Sequence, residues 1–283
     1  MFTLTVERKD GKRLTLTGFY SAYKVKYTGL GAVGANIITS SLGMVDGEKY
    51  NGARVPARNV VLTVYINGNV EANRIRLYQY FAPKSWVKLY YANGTREVYA
   101  EGYVETNEPD QFSATSSNQI SIICPSPYLS AIETIVQDIT STIDLFEFPF
   151  AIEEDGAEFS TLDGSGYVNM HNSGDVPTGA IFRIFAQSPV VGANIYNAIT
   201  NEYFKITGTL EAGDMVTINT NAGNKRLTIT KSTGETVNAL HRRAEGSTWL
   251  QLTVGDNYIA YTADVGEAAM SVSVEHNDLF VGV

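Results

Sequence analysis

From its second residue the chain alternates apolar and polar side chains with a period of two, and this alternation keeps returning around turn-forming dipeptides. Phe2, Leu4 and Val6 stand against Thr3 and Thr5, Asp10-Gly11 follows, and then Leu14 and Leu16 stand against Arg13, Thr15 and Thr17. Successive side chains of a strand point to opposite faces, and Asp-Gly suits the left-handed positions of a tight turn, so the segment reads as a β-hairpin. The pattern recurs at Val60–Ile66, closed by Asn67-Gly68, and at Trp86–Tyr91, joined through Asn93-Gly94 to a strand within Glu97–Glu105. Tyr23–Tyr27 and Ile120–Cys124 are further strands, the latter ended by Pro125-Ser-Pro127. A chain patterned in this way is mostly β. The abundance of Tyr, Phe, Thr, Val, Ile and Gly, with only 18% charged residues, agrees. The spacing predicts one helix, Glu71 to Phe81, from Ile75 with Tyr78 and Leu77 with Phe81, limited by Pro83.

The second half carries shorter strands at regular intervals. Ala180–Phe185, Tyr203–Ile206, Met215–Ile218, Leu227–Ile229, Thr248–Leu252, Tyr258–Tyr261 and Met270–Val274 are separated by turn residues. Strands recurring about every 8–12 residues predict a β-sandwich. At 283 residues the chain is long for a single core. Residues 128–165 read as the connection between an N-terminal domain, 1–130, and a C-terminal domain, 131–283. This connection is acidic, holds Phe146, Phe148 and Phe150 around Pro149, and finishes in Asp163-Gly-Ser-Gly166. Charge divides at the same place. Residues 1–130 hold 14 Lys/Arg against 10 Asp/Glu, net +4, and residues 131–283 hold 7 against 20, net −13. No Lys or Arg lies between Arg96 and Arg183. The asymmetry supports two differently used units.

Several function classes find no footing. Cys124 is the only cysteine, so no internal disulfide can form and nothing points to an oxidising compartment. Glu7, Arg8 and Lys9 arrive before an apolar region could build a signal peptide, and no run approaches the roughly 18 apolar residues of a membrane span. Gly29, Gly31 and Gly34 have GxGxxG spacing, but the sequel Asn-Ile-Ile-Thr-Ser-Ser-Leu-Gly-Met is short and β-branched where a dinucleotide site requires a helix, so the stretch reads as a mobile loop. His171, His241 and His276 are far apart, read as exposed loop or edge residues, and offer no metal site. Glu153-Glu-Asp155 reads as a solvated acidic run rather than a glycosidase pair, and Gly164-Ser-Gly166 lacks the strand-to-helix setting of a nucleophile elbow. The basic half has no Lys/Arg cluster with a nucleic-acid-binding motif. The chain is therefore read as no enzyme, with no catalytic residue, no cofactor and no metal. Trp249 is the candidate for carbohydrate contact, because exposed aromatics on sandwiches stack on sugars. Its flanking Leu250 and Leu252 fit a core tryptophan as well.

The order of segments resembles the distal tail protein of long-tailed siphophages, the siphovirus-type tail component family. The resemblance is carried by the N-terminal hairpin, Gly52-Ala-Arg54, Val60–Ile66, the helix with Arg74, Leu77 and Tyr80, and Val87–Tyr91. Ile120-Ser-Ile-Ile-Cys-Pro-Ser-Pro-Tyr-Leu129 looks like the family's strand leading into a Cys-Pro-x-Pro-Tyr-Phe junction, with Leu129 where an aromatic is usual. Gly208–Asp214 leading to Met215–Ile218, Ser247–Leu252 and Gly255-Asp-Asn257 continue it. The resemblance implies an N-terminal α+β domain, a barrel or sandwich with one helix, that forms a hexameric ring joining the tail tube to the tip. It implies a galectin-like C-terminal sandwich projecting outward. The partners it implies are further copies of the chain, the tail tube protein, the tape measure protein and the tail-associated fibre or lysin hub protein. The location would be the virion's tail tip, assembled in the bacterial cytoplasm. The competing expectation is a carbohydrate-binding sandwich, an accessory host-recognition module or lectin.

Overall fold

A computed structural model describes residues 2–18, 21–41, 43–44, 46–110, 116–139 and 167–283, and the strand backbones at 142–144 and 160–162. Phe146, Phe148 and Phe150, Glu153-Glu-Asp155 and Gly164-Ser-Gly166 lie outside the described residues. The chain forms two compact units, residues 1–132 with 279–283, and residues 133–278.

The first unit contains β1 (Thr3–Arg8), β2 (Arg13–Thr15), β3 (Tyr23–Thr28), β4 (Asn36–Ser41), β5 (Glu48–Arg54) and β6 (Arg58–Ile66). Helix α1 (Val70–Tyr80), β7 (Trp86–Ala92), β8 (Glu97–Asp110), β9 (Ser117–Cys124) and β10 (Leu129–Ala131) follow. The main sheet is antiparallel in the order β2-β1-β7-β8-β9-β6-β3. Alternation sends one set of side chains inward from each strand: Leu4 and Val6, Val60, Leu62 and Val64, Val87 and Leu89, Ile120 and Ile122. The side chain of Asn69 caps α1 by accepting from the Ala72 amide at 3.2 Å. The helix buries Leu77 and Tyr80, with Phe81 just beyond its end, and leaves Ile75 and Tyr78 exposed. The spacing of three and four therefore marked two faces of the helix, and only the one holding Leu77 and Phe81 meets the core.

The second unit is built on two antiparallel sheets. One runs Ile135–Asp138, Met270–His276, Ile181–Ala186, Met215–Asn219, Arg226–Thr230 and Thr236–Asn238 in spatial order. The other runs Tyr167–Asn172, Gly255–Thr262, Asn194–Asn197 and Glu202–Lys205. Phe182, Val216 and Val272 from the first sheet share one core with Met170, Ile195 and Ile259 from the second, which makes the unit a β-sandwich. The protein is mostly β, as the alternation requires.

The chain's end and the junction carry backbone pairing that the sequence reading did not assign. Leu279–Val283 return to the first unit, where Leu279–Phe280 pairs with β10, which in turn pairs with β8. Backbone pairing decides this, because the short segment has no periodicity of its own. The beginning of the 128–165 connection is likewise strand, in β10 and in Ile135–Asp138.

His276 is buried rather than exposed. It lies on the inward side of Met270–His276, with Nε2 3.4 Å from Asp278 Oδ1 and without a properly formed hydrogen bond on either ring nitrogen. Burial lowers its pKa, and Asp278 and the His171 backbone oppose this only in part. The folded chain thus holds a neutral imidazole that the unfolded chain would protonate below its ordinary value of about 6.5. Stability should be full above about pH 6.5, fall as the pH drops below it, and level off below the depressed folded value. Denaturant titrations at pH 7.5 and pH 5 test this: wild type should lose more than His276→Gln, and equal losses would remove His276 as the cause.

Candidate assembly surface

The Gly-rich stretch after β3 is fastened where the sequence suggested a mobile loop. Arg58, at the start of β6, is 2% exposed and has no carboxylate partner among the described residues. Its Nη1 donates to the carbonyls of Gly29 at 2.6 Å and Gly31 at 2.9 Å, its Nε to Pro127 at 2.8 Å, and its Nη2 to Val281 at 2.8 Å. One planar guanidinium thereby ties together the Gly-rich stretch, the turn before β10 and the returning C-terminus. The Val283 amide donates to the Leu30 carbonyl at 3.0 Å, and Leu30 is buried. Gly29 has φ +84°, and a Cβ there would meet Asn59 O at 2.0 Å, so both conformation and space demand glycine. Gly29 serves backbone packing, whereas a Cβ at Gly31 or Gly34 would meet open space. Nearby, burial pushes the Cys124 thiol up to about 11, which leaves it unionised at neutral pH.

Immediately after this fastened point the chain leaves the core. Among the described residues β4 and β5 pair only with each other, with a register shift between Ile38 and Thr39. Every residue of β4 is exposed, and in β5 all but Gly52 are exposed. Ile37 and Ile38 are 59% and 56% exposed and Tyr50 62%, on a ribbon with solvent on both faces. An isolated two-stranded ribbon is marginal in water, and exposed β-branched and aromatic side chains on it are a surface for another chain. Ile75 and Tyr78 on α1 and Tyr103 on β8 are further exposed apolar residues of the same unit. The Tyr-rich pattern held two populations. Tyr27 and Tyr91 are turned inward, share a 3.0 Å hydroxyl–hydroxyl hydrogen bond and pack on Phe2, whereas Tyr50, Tyr78 and Tyr103 face solvent. Alternation could not separate them, because a tyrosine serves either environment.

The other residues singled out in the sequence do not converge. Trp249 precedes the short strand Gln251–Leu252 and is half-buried against the second core, its ring centroid 5.2 Å from that of Phe204 and 6.0 Å from the Arg243 guanidinium carbon. Trp249→Ala should cost the second unit stability toward the low end of the roughly 3–5 kcal/mol typical of buried tryptophans, read as a lower melting temperature. An unchanged melting curve would show that the ring's packing contributes nothing. His171 is exposed and pairs with Asp256 at 2.7 Å, and His241 lies exposed in a 3₁₀ turn. Among the described residues, no three of His, Cys, Asp and Glu converge as a metal would need, and no helix is long and apolar enough to cross a membrane.

The chain is a two-unit β protein with an exposed ribbon on its first unit, and it is similar to known proteins. Residues 173–278 match the family described as siphovirus-type tail component, C-terminal domain. The fold of the whole chain is that of the Dit (gp 19.1) protein of phage SPP1, described as a paradigm of the hub adsorption apparatus in phages infecting Gram-positive bacteria. That match has a TM-score of 0.67 at 14% identity and covers 99% of both chains. The strontium-activated baseplate of phage p2 holds a chain similar at TM-score 0.55 and 12% identity, with 97% of this chain and 98% of that one covered. Its calcium-activated form gives 0.52 and 11%, with the same coverage. No curated protein sequence matches the chain. The resemblance read from the sequence thus reappears both in the family match to the second unit and in the fold of the whole.

Proposed function

We propose that this protein is the distal tail, or tail-tip hub, component of a long-tailed phage. Copies close into a ring through the first unit and join the tail tube to the adsorption apparatus. The observation that carries this reading is the β4–β5 ribbon, which exposes Ile37, Ile38 and Tyr50 with no core beneath them among the described residues. The full-length likeness in fold to the SPP1 hub protein supports it. In a ring, each ribbon would lie on the adjacent copy, and stable interfaces of this kind bury on the order of 1,000 Å² or more around apolar and aromatic anchors. Six copies are the number the family resemblance implies. The protein would act by holding neighbours in register rather than by chemistry. The neighbours would be the tail tube protein, the tape measure protein and the fibre or lysin hub protein, and its place would be the virion's tail tip. Native mass spectrometry and two-dimensional class averages of the purified chain, alone and with tail-tube protein, test the reading. A closed ring is expected, and a monomer unchanged by concentration or by the tube protein would overturn it.

A further inference from the structure

The four-stranded sheet of the second unit has one face in the core and one in solvent. Met170, Ile195, Phe204 and Ile259 fill the core, so the alternate positions point outward, and they are rich in tyrosine. Tyr167, Tyr196, Tyr203 and Tyr258 all stand on this outer side, with Tyr167 66% exposed and Tyr203 and Tyr258 each 37%. Strand register orders them. Tyr167 lies opposite Ala260, Ala260 opposite Tyr196, and Tyr196 opposite Tyr203. Because neighbouring strands are about 4.8 Å apart, Tyr167 and Tyr196 are held roughly 9–10 Å apart across the alanine. Ala260 between them is 6% exposed. One row along, Asn169 stands beside Tyr258, whose ring meets that of Tyr167 edge-on with centroids 5.4 Å apart. One row further, His171 stands beside Asp256, whose Oδ1 lies 2.7 Å from His171 Nδ1 and accepts from Asn169 Nδ2 at 3.0 Å.

These groups suit one class of ligand. Aromatic rings on a rigid sheet present faces on which the C–H side of a pyranose can lie, and amide, imidazole and carboxylate groups beside them match its hydroxyls. On this face Asp256 Oδ1 is held by His171 and Asn169, and Asp264 pairs with Lys205 at 2.8 Å. Residues 131–283 carry net −13, which repels polyanions. The separation of Tyr167 and Tyr196 is about that of alternate sugar units along an extended β-linked chain. We propose that the outer face of this sheet is a platform for a neutral, β-linked glycan. Tyr167 and Tyr196 lie under alternate sugar rings, and Asn169, one row along the strands, bonds a hydroxyl at their edge. Glycan contact is thereby assigned to this face and not to Trp249.

The test uses the full chain with cellohexaose and chitohexaose as neutral probes, polygalacturonate as the acidic control, and calorimetric titration as the readout. At least one neutral hexasaccharide should bind, and polygalacturonate should not. Tyr167→Ala and Tyr258→Ala, both at exposed positions, should each weaken binding about tenfold or more with an unchanged melting temperature. Tyr196→Phe, which keeps the ring, should retain it. Absence of binding to either neutral probe at millimolar concentration would overturn the proposal, as would binding that survives the Tyr167→Ala/Tyr258→Ala double substitution. Should the double variant alter association with other tail proteins while no saccharide binds, the face is a protein interface and the proposal fails. Oligomeric mass is read separately, so failure here leaves the ring reading standing, and failure of the ring reading leaves this one standing.

Discussion

Replacing Arg58 with methionine is expected to cost the first unit about 3–5 kcal/mol, a large share of the stability of an ordinary domain. Methionine fills much of the arginine's volume, so the loss is polar. The carbonyls of Gly29, Gly31, Pro127 and Val281 would lose their charged donor together. An unsatisfied buried acceptor costs about 1–3 kcal/mol, and entry of water and relaxation of the Gly-rich stretch return part of that sum. Arg58→Lys should fall between, because an ammonium keeps the charge but cannot reach in three directions from one plane. The transition of the first unit in calorimetry should drop by about 10–15 °C for the methionine variant. A drop of less than 3 °C would show that the carbonyls are satisfied without the guanidinium. Deleting residues 279–283 should act in the same direction, since it removes both the Val281 acceptor and the Val283–Leu30 hydrogen bond.

Replacement of residues 36–54 by a short Gly/Ser linker should do the reverse, leaving the fold intact and abolishing assembly. Among the described residues the ribbon pairs only with itself and contributes no side chain to the core of the first unit, so its removal should leave that core in place. The melting temperature at low concentration should hold within a few degrees. The species seen by native mass spectrometry should fall from a closed ring to a single chain. Ile37→Asp/Ile38→Asp is the gentler form of the experiment, because it puts charge into the surface assigned to the neighbouring copy and leaves the backbone in place. A ring that survives either change would move the interface to the other exposed apolar positions of the unit, Ile75, Tyr78 and Tyr103.

Some of this was written in the sequence. The Phe2–Leu16 hairpin, the Val60–Ile66 strand and the Glu71–Phe81 helix were legible because a period of two or of three to four ties each side chain to a face, whatever the rest of the chain does. The β-rich sandwich after residue 166 was legible in the same way. Local pattern also indicated the resemblance to tail components, which the match over 173–278 repeats.

Tertiary structure alone decided what depends on partners distant in sequence. Arg58 reads as one more charge at the start of a strand, and its four acceptors come from 27 to 223 positions away. The Gly29–Gly34 run carried no sign of whether a ligand, solvent or the chain's own C-terminus would meet it. His276 fits an edge residue by pattern, and only the packing of its sheet removes it from water. The β4–β5 ribbon and the row Tyr167–Ala260–Tyr196 share this character. Exposure and cross-strand register belong to the assembled sheet, because register is set by which strands pair and not by the residues along any one of them.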